Sequence, residues 1–223
     1  MNLKKILFVP IVMLFCACGN GQTGKTKETE SSTHENTKDD KKVIMFFGDS
    51  LTAGYGLDDE SQAFPDVIQT KIDSLKFPYK VINAGVSGET SAGGLARIKW
   101  TLKKKVDIFV LELGANDGLR GTAVAQTTKN LQAIITAVKT TYPKAKILLL
   151  GMQVPPSMGA TYSGDFKDMY KQLADQNKID LVPFLLDKVA GIAKLNQADG
   201  IHPTAEGAKI VAGNVWSVLK DRL

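Results

Sequence analysis

A serine near the start of the globular part of this sequence and a histidine near its end have the types that acyl transfer requires. Ser50 stands in Gly-Asp-Ser-Leu, and His202 stands in Asp-Gly-Ile-His-Pro, which begins with Asp199. A serine hydroxyl becomes an effective nucleophile when a histidine takes its proton, and a carboxylate fixes the imidazole tautomer and stabilises the imidazolium. Asp199 lies three residues before His202, so a tight turn would bring its carboxylate against the ring. We therefore predict Ser50, Asp199 and His202 as catalytic residues.

The scarcity of histidine narrows the choice of base. The chain has 2 histidines, and His34 lies in a stretch without aliphatic or aromatic residues, where we expect it to be solvated. His202 is therefore the candidate base. The competing interpretation is that Gly-Asp-Ser and Asp-Gly are ordinary turn or cap sequences, which these residue types favour. Neither segment is the Gly-x-Ser-x-Gly elbow of α/β-hydrolases, and the chain contains no such elbow.

The tetrahedral intermediate of acyl transfer needs hydrogen-bond donors for its oxyanion. The backbone N–H of Ser50 is one candidate, because Ser50 directly follows a buried strand. Gly85, in Asn-Ala-Gly-Val-Ser-Gly, can bring a backbone N–H close to a ligand, and Asn116, in Gly-Ala-Asn-Asp-Gly, offers a side-chain N–H. Each segment alone is also compatible with an ordinary turn. Together they predict an oxyanion hole of Ser50, Gly85 and Asn116.

Short apolar runs alternate with stretches of helical periodicity from residue 43 onward. The predicted strands are 43–47, 79–83, 107–113, 145–150 and 179–183, and the apolar spacing indicates helices over 64–75, 124–138, 166–173 and about 204–219. This alternation is typical of an α/β fold whose parallel sheet is covered by helices on both faces. Ligand sites in such sheets form beyond the carboxyl ends of the strands, where the candidate residues are expected.

These segments together resemble the SGNH, or GDSL, hydrolases, a family named for its serine, glycine, asparagine and histidine. The resemblance covers residues 43 to about 220, with the four blocks in order and Asp199 at the position of the family's aspartate. It implies a three-layer α/β/α sandwich of the flavodoxin-like type, with five parallel strands in the order 2-1-3-4-5. It also supports a serine hydrolase that works through an acyl-enzyme.

Three further segments resemble one branch of that family, the bacterial periplasmic thioesterases, lysophospholipases and arylesterases. They are 93–97, 113–121 and 151–156. The likeness implies hydrolysis of acyl thioesters, short aryl esters and lysophospholipids, with no metal and no other cofactor. The apolar and flexible residues after the fourth predicted strand favour one wall of an acyl groove, for which we select Leu119 and Met158. A packing loop is the competing interpretation.

The first 42 residues have the composition of a targeting segment and a tether. Residues 1–18 contain two lysines, an apolar run and a Cys-Ala-Cys ending, which is typical of a secretory signal and resembles a lipoprotein lipobox with Cys18 as the lipidated residue. An ordinary signal peptide cut near Ala17 is the alternative. Residues 19–42 lack apolar side chains and predict a disordered polar tether. We therefore expect a hydrolase domain over 43–223, anchored by lipid at the cell envelope and facing the periplasm or the exterior.

Charge and cysteine content exclude several classes of protein. The formal net charge is +5, and this excess is scattered along the sequence, so we expect no nucleic-acid partner. Cys16 and Cys18 are the two cysteines, which excludes a disulfide or a cysteine nucleophile within 43–223. We expect a monomer that binds a small ester or thioester. A carbohydrate O-deacetylase on the same site and a surface-anchored binding module without turnover stay open as alternatives.

Overall fold

Strands and helices alternate along residues 41–223, the part of the chain that this computed structural model describes. The strands are β1 (Lys42–Gly48), β2 (Tyr79–Gly85), β3 (Ile108–Leu111), β4 (Lys146–Leu150) and β5 (Asp180–Val182). The helices are α1 (Ser50–Ala53), α2 (Phe64–Ser74), α3 (Ser91–Thr101), α4 (Ala115–Leu119), α5 (Val124–Thr141), α6 (Ala160–Asn177) and α7 (Ala205–Leu219). Short 3-10 turns cover Glu60–Gln62, Pro156–Met158, Ala193–Leu195 and Lys220–Arg222.

The five strands form one parallel sheet in the order β2-β1-β3-β4-β5. The fold class and the strand order expected from the sequence are therefore confirmed. The four predicted long helices are present as α2, α5, α6 and α7, whereas α1, α3 and α4 were not predicted. All five strands end at the same edge of the sheet, and we call this the carboxyl edge.

The central strands are apolar because helices cover both faces of the sheet. Ile44, Met45, Phe46 and Phe47 of β1 have no exposed surface, and β3 is buried throughout. Burying one such side chain stabilises the fold by roughly 1.5–3 kcal/mol. On one face α2 packs against α7, and on the other α5 packs against both α3 and α6. The result is a three-layer sandwich whose rigid sheet fixes the loops at the carboxyl edge.

Polar caps determine where the helices beside these loops begin. Asp49 caps α1, Thr90 caps α3 and Thr204 caps α7, each by accepting a hydrogen bond from a backbone N–H in the first turn. Replacing such a cap by alanine typically costs about 1 kcal/mol. The caps therefore fix the loops after β1 and β2 and the loop before α7, next to which Ser50, Gly85 and His202 lie.

The predictions for the first part of the chain lie outside the described residues. They concern the signal segment 1–18 with Cys18, and residues 19–40 of the tether, which was predicted over 19–42. The strand β1 begins at Lys42, one residue before the predicted domain boundary. Within residues 41–223, no helix is long and apolar enough to cross a membrane.

Candidate active site

Ser50 lies at the carboxyl edge of the sheet, where β1 ends and α1 begins. The side chain of Asp49 accepts a hydrogen bond from the backbone N–H of Leu51 at 3.0 Å, which starts the helix immediately after the strand. Ser50 is largely buried, with 8% of its surface exposed. This sharp strand-to-helix turn holds the serine hydroxyl in a fixed position at the edge of the sheet.

Ser50, His202 and Asp199 form one hydrogen-bonded row. Ser50 Oγ lies 2.8 Å from His202 Nε2, although the two residues are 152 positions apart in the sequence. Asp199 Oδ2 lies 2.7 Å from His202 Nδ1. When Nδ1 donates its hydrogen to the carboxylate, Nε2 can accept the hydrogen of the serine hydroxyl. The structure thus brings together the three side chains that the sequence singled out.

Asp199 uses its two carboxylate oxygens for different contacts. Oδ2 accepts from the imidazole, and Oδ1 accepts from the backbone N–H groups of Ile201 at 2.8 Å and of His202 at 3.0 Å. The hydrogen bond from the His202 ring, followed by those from the backbone, lowers the pKa of Asp199 from 3.8 to about 2. The carboxylate is therefore ionised at neutral pH, and it fixes both the loop and the ring.

A pair of buried carboxyl groups, which was not predicted from the sequence, lies beneath Ser50. Glu112 follows β3 and is fully buried. Its Oε2 accepts from the backbone N–H of Asp49 at 3.0 Å and from the hydroxyl of Thr52 at 2.9 Å. Burial and then the charge of Asp49 raise the pKa of Glu112 well above its usual 4.5, and burial raises the pKa of Asp49 to about 6. The signal in the sequence was an acidic residue at the end of an apolar strand.

Asn116 lies in α4, next to the buried pair. Its Nδ2 donates to Asp49 Oδ2 at 3.1 Å and to the backbone oxygen of Glu89 at 3.0 Å. Both hydrogens of the amide therefore have acceptors in this structure. The side chain nevertheless lines the same cavity as Ser50 and His202. Asn116 is thus held in a defined orientation at the site.

Gly85 occupies a different place from the one expected for an oxyanion donor. Its N–H donates to Asn83 Oδ1 at 3.0 Å. A Cβ on Gly85 would lie 2.3 Å from the backbone nitrogen of Ala53, so the absence of a side chain allows α1 to lie close to β2. Gly85 is also not among the residues that line the cavity. Close packing of α1 against β2 therefore accounts for a glycine at position 85, and the geometry gives no support to its predicted role as an oxyanion donor.

Gly88, three residues further along the same segment, has the properties that were sought in Gly85. Among residues 41–223, none accepts a hydrogen bond from the backbone N–H of Gly88 or of Ser50. Gly88 has a φ of +78°, which favours glycine. It precedes Glu89, whose oxygen accepts from Asn116. The sequence signal was the second glycine of Asn-Ala-Gly-Val-Ser-Gly.

Arg97 of α3 holds the loop that contains Gly88. Its Nε donates to Glu89 Oε1 at 2.7 Å, and its Nη2 donates to the backbone oxygen of Ala84 at 2.9 Å. The guanidinium also stacks over the Phe47 ring, 3.8 Å from the ring centroid. Arg97 therefore links the ends of β1 and β2 to the following loop.

A cavity of about 580 Å³ opens beside Ser50. Leu119 lines it, as predicted, whereas Met158 is not among its lining residues. Met158 lies in the 3-10 turn Pro156–Met158 and packs against the hydrophobic core. The larger apolar side chains of the wall that were not selected individually from the sequence include Leu51, Met152, Val154, Phe184, Leu186 and Ile201. Most of them follow β4 or β5, so the wall is made by loops at the carboxyl edge.

Residues 41–223 offer no evident place for a metal at the site. In the part of the chain that the structure describes, no three histidine, cysteine, aspartate or glutamate side chains are grouped so that they could hold an ion. The chemistry available to the described residues is nucleophilic attack by a serine, with a histidine as base. A parallel α/β sheet with such a row at its carboxyl edge is the arrangement of a serine hydrolase, the class that includes the SGNH hydrolases.

Comparison with known proteins identifies the family. The sequence model of the GDSL-like lipase/acylhydrolase family matches residues 46–210, so the chain belongs to this family, as its motifs predicted. It is 43% identical to the esterase TesA of Pseudomonas aeruginosa over 183 residues, which cover 82% of this chain and 90% of TesA. It is 37% identical to thioesterase 1/protease 1/lysophospholipase L1 of Escherichia coli K12, over 76% of this chain and 79% of that protein.

A solved relative confirms the fold. The chain is similar to the crystal structure of TesA with a TM-score of 0.78 and 42% identity, over 82% of this chain and 100% of that chain. The whole of the crystallised TesA chain aligns with 82% of this chain, so the aligned part has the length of a complete crystallised chain.

Proposed function

We propose that this protein is a serine hydrolase that cleaves small carboxylic esters and thioesters through an acyl-enzyme. The observation that carries the proposal is the row of Ser50, His202 and Asp199, with distances of 2.8 and 2.7 Å. These distances lie within the range needed for proton transfer. A binding module without turnover would not need a hydroxyl, an imidazole and a carboxylate in hydrogen-bonding order.

In the first half of the reaction, His202 Nε2 takes the proton of Ser50 as Oγ attacks the carbonyl carbon of the substrate. The carbonyl π bond breaks, and its electron pair moves to the oxygen. Asp199 stabilises the imidazolium that forms. His202 then gives the proton to the leaving alcohol or thiol, the bond to that group breaks, and the acyl group remains as an ester on Ser50.

In the second half, water takes the place of the leaving group. His202 Nε2 accepts a proton from the water as its oxygen attacks the acyl carbon. Collapse of the second tetrahedral intermediate breaks the bond to Ser50 Oγ, which takes the proton back from His202. A carboxylic acid is released, and the serine hydroxyl is restored.

We assign the oxyanion to the backbone N–H groups of Ser50 and Gly88 and to the side chain of Asn116. The two backbone donors have no acceptor among residues 41–223. Asn116 would exchange one of its present acceptors, Asp49 Oδ2 or the Glu89 oxygen, for the oxyanion. Removing one oxyanion donor typically lowers kcat by about 10²–10³. Asn116→Ala should therefore lower kcat by that factor with little change in KM.

The substrate class follows from the wall of the cavity and from the relatives. The wall is predominantly apolar, which suits an acyl chain better than a sugar ring, so the wall favours ester or thioester hydrolysis over the alternative of a carbohydrate O-deacetylase. The names of the two relatives, an esterase and a thioesterase/lysophospholipase, support aryl esters, acyl thioesters and lysophospholipids as test substrates. Turnover of an acetylated glycan in preference to all of these would favour the deacetylase.

The decisive experiment replaces the proposed nucleophile. Ser50→Ala should abolish hydrolysis of p-nitrophenyl acetate and butyrate, and it should also abolish labelling by a fluorophosphonate probe, with an unchanged melting temperature. Ser61→Ala, at an exposed serine outside the site, is the matched control and should retain full activity. Wild-type turnover by the Ser50→Ala variant would refute the assignment.

We also propose that the enzyme belongs to the cell envelope. The support is the sequence of residues 1–18, in which Cys18 follows a signal-like apolar run, and the polar composition of residues 19–42. Mass spectrometry of the mature protein should find acyl chains on Cys18, and Cys18→Ser should release the protein from the membrane fraction. An unlipidated N-terminus close to residue 18 would favour the ordinary signal peptide. Gel filtration of the released protein tests the expected monomer.

A further inference from the structure

The edge of the sheet at which the strands begin, opposite the active site, collects a row of lysines. We call this the amino edge. Loops 75–78, 102–107, 142–145 and 178–179 lead into β2, β3, β4 and β5 and therefore lie along it. They contribute five exposed lysines, Lys76, Lys103, Lys104, Lys144 and Lys178. Residues that are scattered in the sequence are thus gathered at one edge by the parallel topology.

The negative charges at the amino edge do not neutralise these lysines. Asp73 contacts Lys41 at 3.7 Å, Asp107 contacts Lys105 at 3.4 Å, and Asp175 contacts Lys171 at 2.6 Å. Asp180 accepts two hydrogen bonds from the Arg222 guanidinium, and Asp221 is the neighbour of Arg222 in the 3-10 turn that follows α7. Among residues 41–223, the five lysines have no carboxylate within 4.0 Å. The amino edge therefore has an uncompensated positive potential.

A tryptophan stands beside this row. Trp100 lies in the last turn of α3, and 68% of its surface is exposed, the largest fraction among the exposed large apolar side chains of the described residues. Lys103 and Lys104 follow it within one helical turn. An indole is favoured at the boundary between lipid headgroups and acyl chains, because it combines a large apolar surface with one N–H donor. A solvated tryptophan next to lysines is an expected feature of a membrane-binding surface.

The shape of the patch favours a surface over a single bound ion. Strands lie about 4.8 Å apart, so lysines spread from β2 to β5 extend over roughly 19 Å. Such a line of charge matches a planar array of phosphate headgroups. The chain also enters β1 on this edge, with two further exposed lysines, Lys41 and Lys42.

We propose that the amino edge, with Trp100 and the five lysines, docks onto the surface of a bilayer that contains anionic phospholipids. Docking directs the carboxyl edge, and with it Ser50, away from that bilayer. In this orientation the site would take acyl substrates from the aqueous side, and this consequence rests on the proposed function. The binding itself is independent of catalysis.

The test uses residues 41–223, the part of the chain that the structure describes, which has about the length that aligns with the whole crystallised chain of TesA. At 0.1 M NaCl the protein should co-sediment with vesicles of phosphatidylcholine that contain 30% phosphatidylglycerol, and it should not co-sediment with vesicles of phosphatidylcholine alone. In a Trp216→Phe background, which leaves Trp100 as the single tryptophan, emission should shift to the blue on binding. Each lysine near an anionic surface contributes about fivefold to binding. K103E/K104E should therefore lower the partition coefficient by at least about 25-fold.

The matched control is K129E/K167E, which reverses the same number of charges on α5 and α6, at exposed positions nearer the carboxyl edge. It should change partitioning by less than about threefold, and W100A should lower it clearly. All of these variants, and vesicle-bound protein, should hydrolyse p-nitrophenyl acetate at the wild-type rate.

Three results would overturn the proposal. The first is sedimentation that does not depend on phosphatidylglycerol, and the second is equal loss of binding in the control. The third is that a variant with Leu119 and Ile201 replaced by serine loses binding, whereas K103E/K104E retains it. This result would mean that the mouth of the cavity contacts the bilayer. If the unmodified protein bound vesicles as expected but showed no turnover that depends on Ser50, the proposed function would be contradicted and the docking proposal would stand.

Discussion

The side-chain amide of Gln197 donates a hydrogen bond to the backbone oxygen of Tyr55 at 2.7 Å, across 142 positions of sequence. The same Nε2 donates to the backbone oxygen of Pro203 at 2.9 Å. Tyr55 belongs to the loop after α1, and Pro203 follows His202. The Tyr55 ring also packs against the imidazole, with 4.8 Å between the ring centroids. One amide therefore links the serine segment to the histidine loop.

Replacing Gln197 should disturb catalysis more than stability. Gln197→Ala leaves the oxygens of Tyr55 and Pro203 without their donor, and removing a hydrogen bond of this kind costs about 1 kcal/mol. Because the link sets the distance between Ser50 and His202, we expect kcat to fall about tenfold with KM changed less than threefold. Steady-state kinetics on p-nitrophenyl butyrate measures this. Gln172→Ala, at an exposed glutamine of α6, is the control, and an unchanged kcat for Gln197→Ala would show that the link has no such role.

Asp199→Asn should abolish most activity by changing the tautomer of His202. The amide oxygen can still accept from the loop N–H groups, but the amide nitrogen would donate to Nδ1 and leave the ring hydrogen on Nε2. That tautomer cannot accept the Ser50 proton, so we expect kcat to fall by about 10³–10⁴. This loss should be smaller than that of Ser50→Ala. Retention of more than a tenth of wild-type kcat would contradict the role given to Asp199.

The lowered pKa of Asp199 also predicts how stability depends on pH. A carboxyl whose pKa falls on folding contributes stability above its unfolded pKa, and this contribution is lost as pH falls from about 4 through the folded value of about 2. Asp199→Asn should therefore flatten the decline of melting temperature between pH 4 and pH 2. Any loss of wild-type activity between pH 8 and pH 5 must come from another group, because Asp199 stays ionised there.

The buried pair beneath the nucleophile predicts the opposite pH dependence. Burial raises the pKa values of Asp49 and Glu112, so the folded protein binds more protons than the unfolded chain. Their contribution to stability is full below their unfolded pKa values, near 4. That of Asp49 is lost as pH rises through about 6, and that of Glu112 is lost as pH rises through its own raised pKa. Glu112→Gln cannot ionise, and its amide oxygen can still accept from Asp49 and Thr52. We expect its melting temperature to decline less between pH 5 and pH 8 than that of the wild type, by about 3 °C or more.

Only the change with pH is diagnostic in this experiment. Glu112 Oε1 has no hydrogen-bond partner among the described residues, so the new amide N–H groups would also be buried without acceptors. That cost, about 1–3 kcal/mol, is independent of pH. Asp168→Asn, at an exposed carboxylate of α6, controls for net charge. Parallel declines of wild type and Glu112→Gln would show that Glu112 stays ionised across this range.

Features that depend on periodicity were predictable from the sequence, and features that depend on close approach were not. The five strands and the long amphipathic helices follow from apolar spacing. Helix α3 was missed because Gly93 and Gly94 are poor helix formers. A Cβ on Gly94 would lie 2.4 Å from Leu113 Cδ1, so this glycine lets the helix pack tightly on the sheet. A local pattern carries no information about such a distant neighbour.

The same limit applies to the site. The side chains of Ser50, Asp199 and His202 could be selected by their chemistry. The choice between Gly85 and Gly88, however, depends on which N–H already has an acceptor, and this is a property of the folded chain. The buried position of Glu112 beneath Asp49 likewise depends on the pairing of β1 with β3. Contacts between distant segments therefore separate what the sequence could predict from what it could not.

The two residues selected for the acyl groove should behave differently. Leu119 lines the cavity and is 44% exposed, whereas Met158 packs against the hydrophobic core and does not line the cavity. Leu119→Ala removes apolar surface that a long acyl chain would cover, and each methylene group that is no longer buried weakens binding by about 0.8 kcal/mol. The ratio of kcat/KM for p-nitrophenyl octanoate to that for the acetate should fall about fivefold. Met158→Ala should leave this ratio unchanged within a factor of two, because its side chain packs on the core. A larger effect from Met158 than from Leu119 would mean that the acyl chain takes another path, toward the 3-10 turn Pro156–Met158.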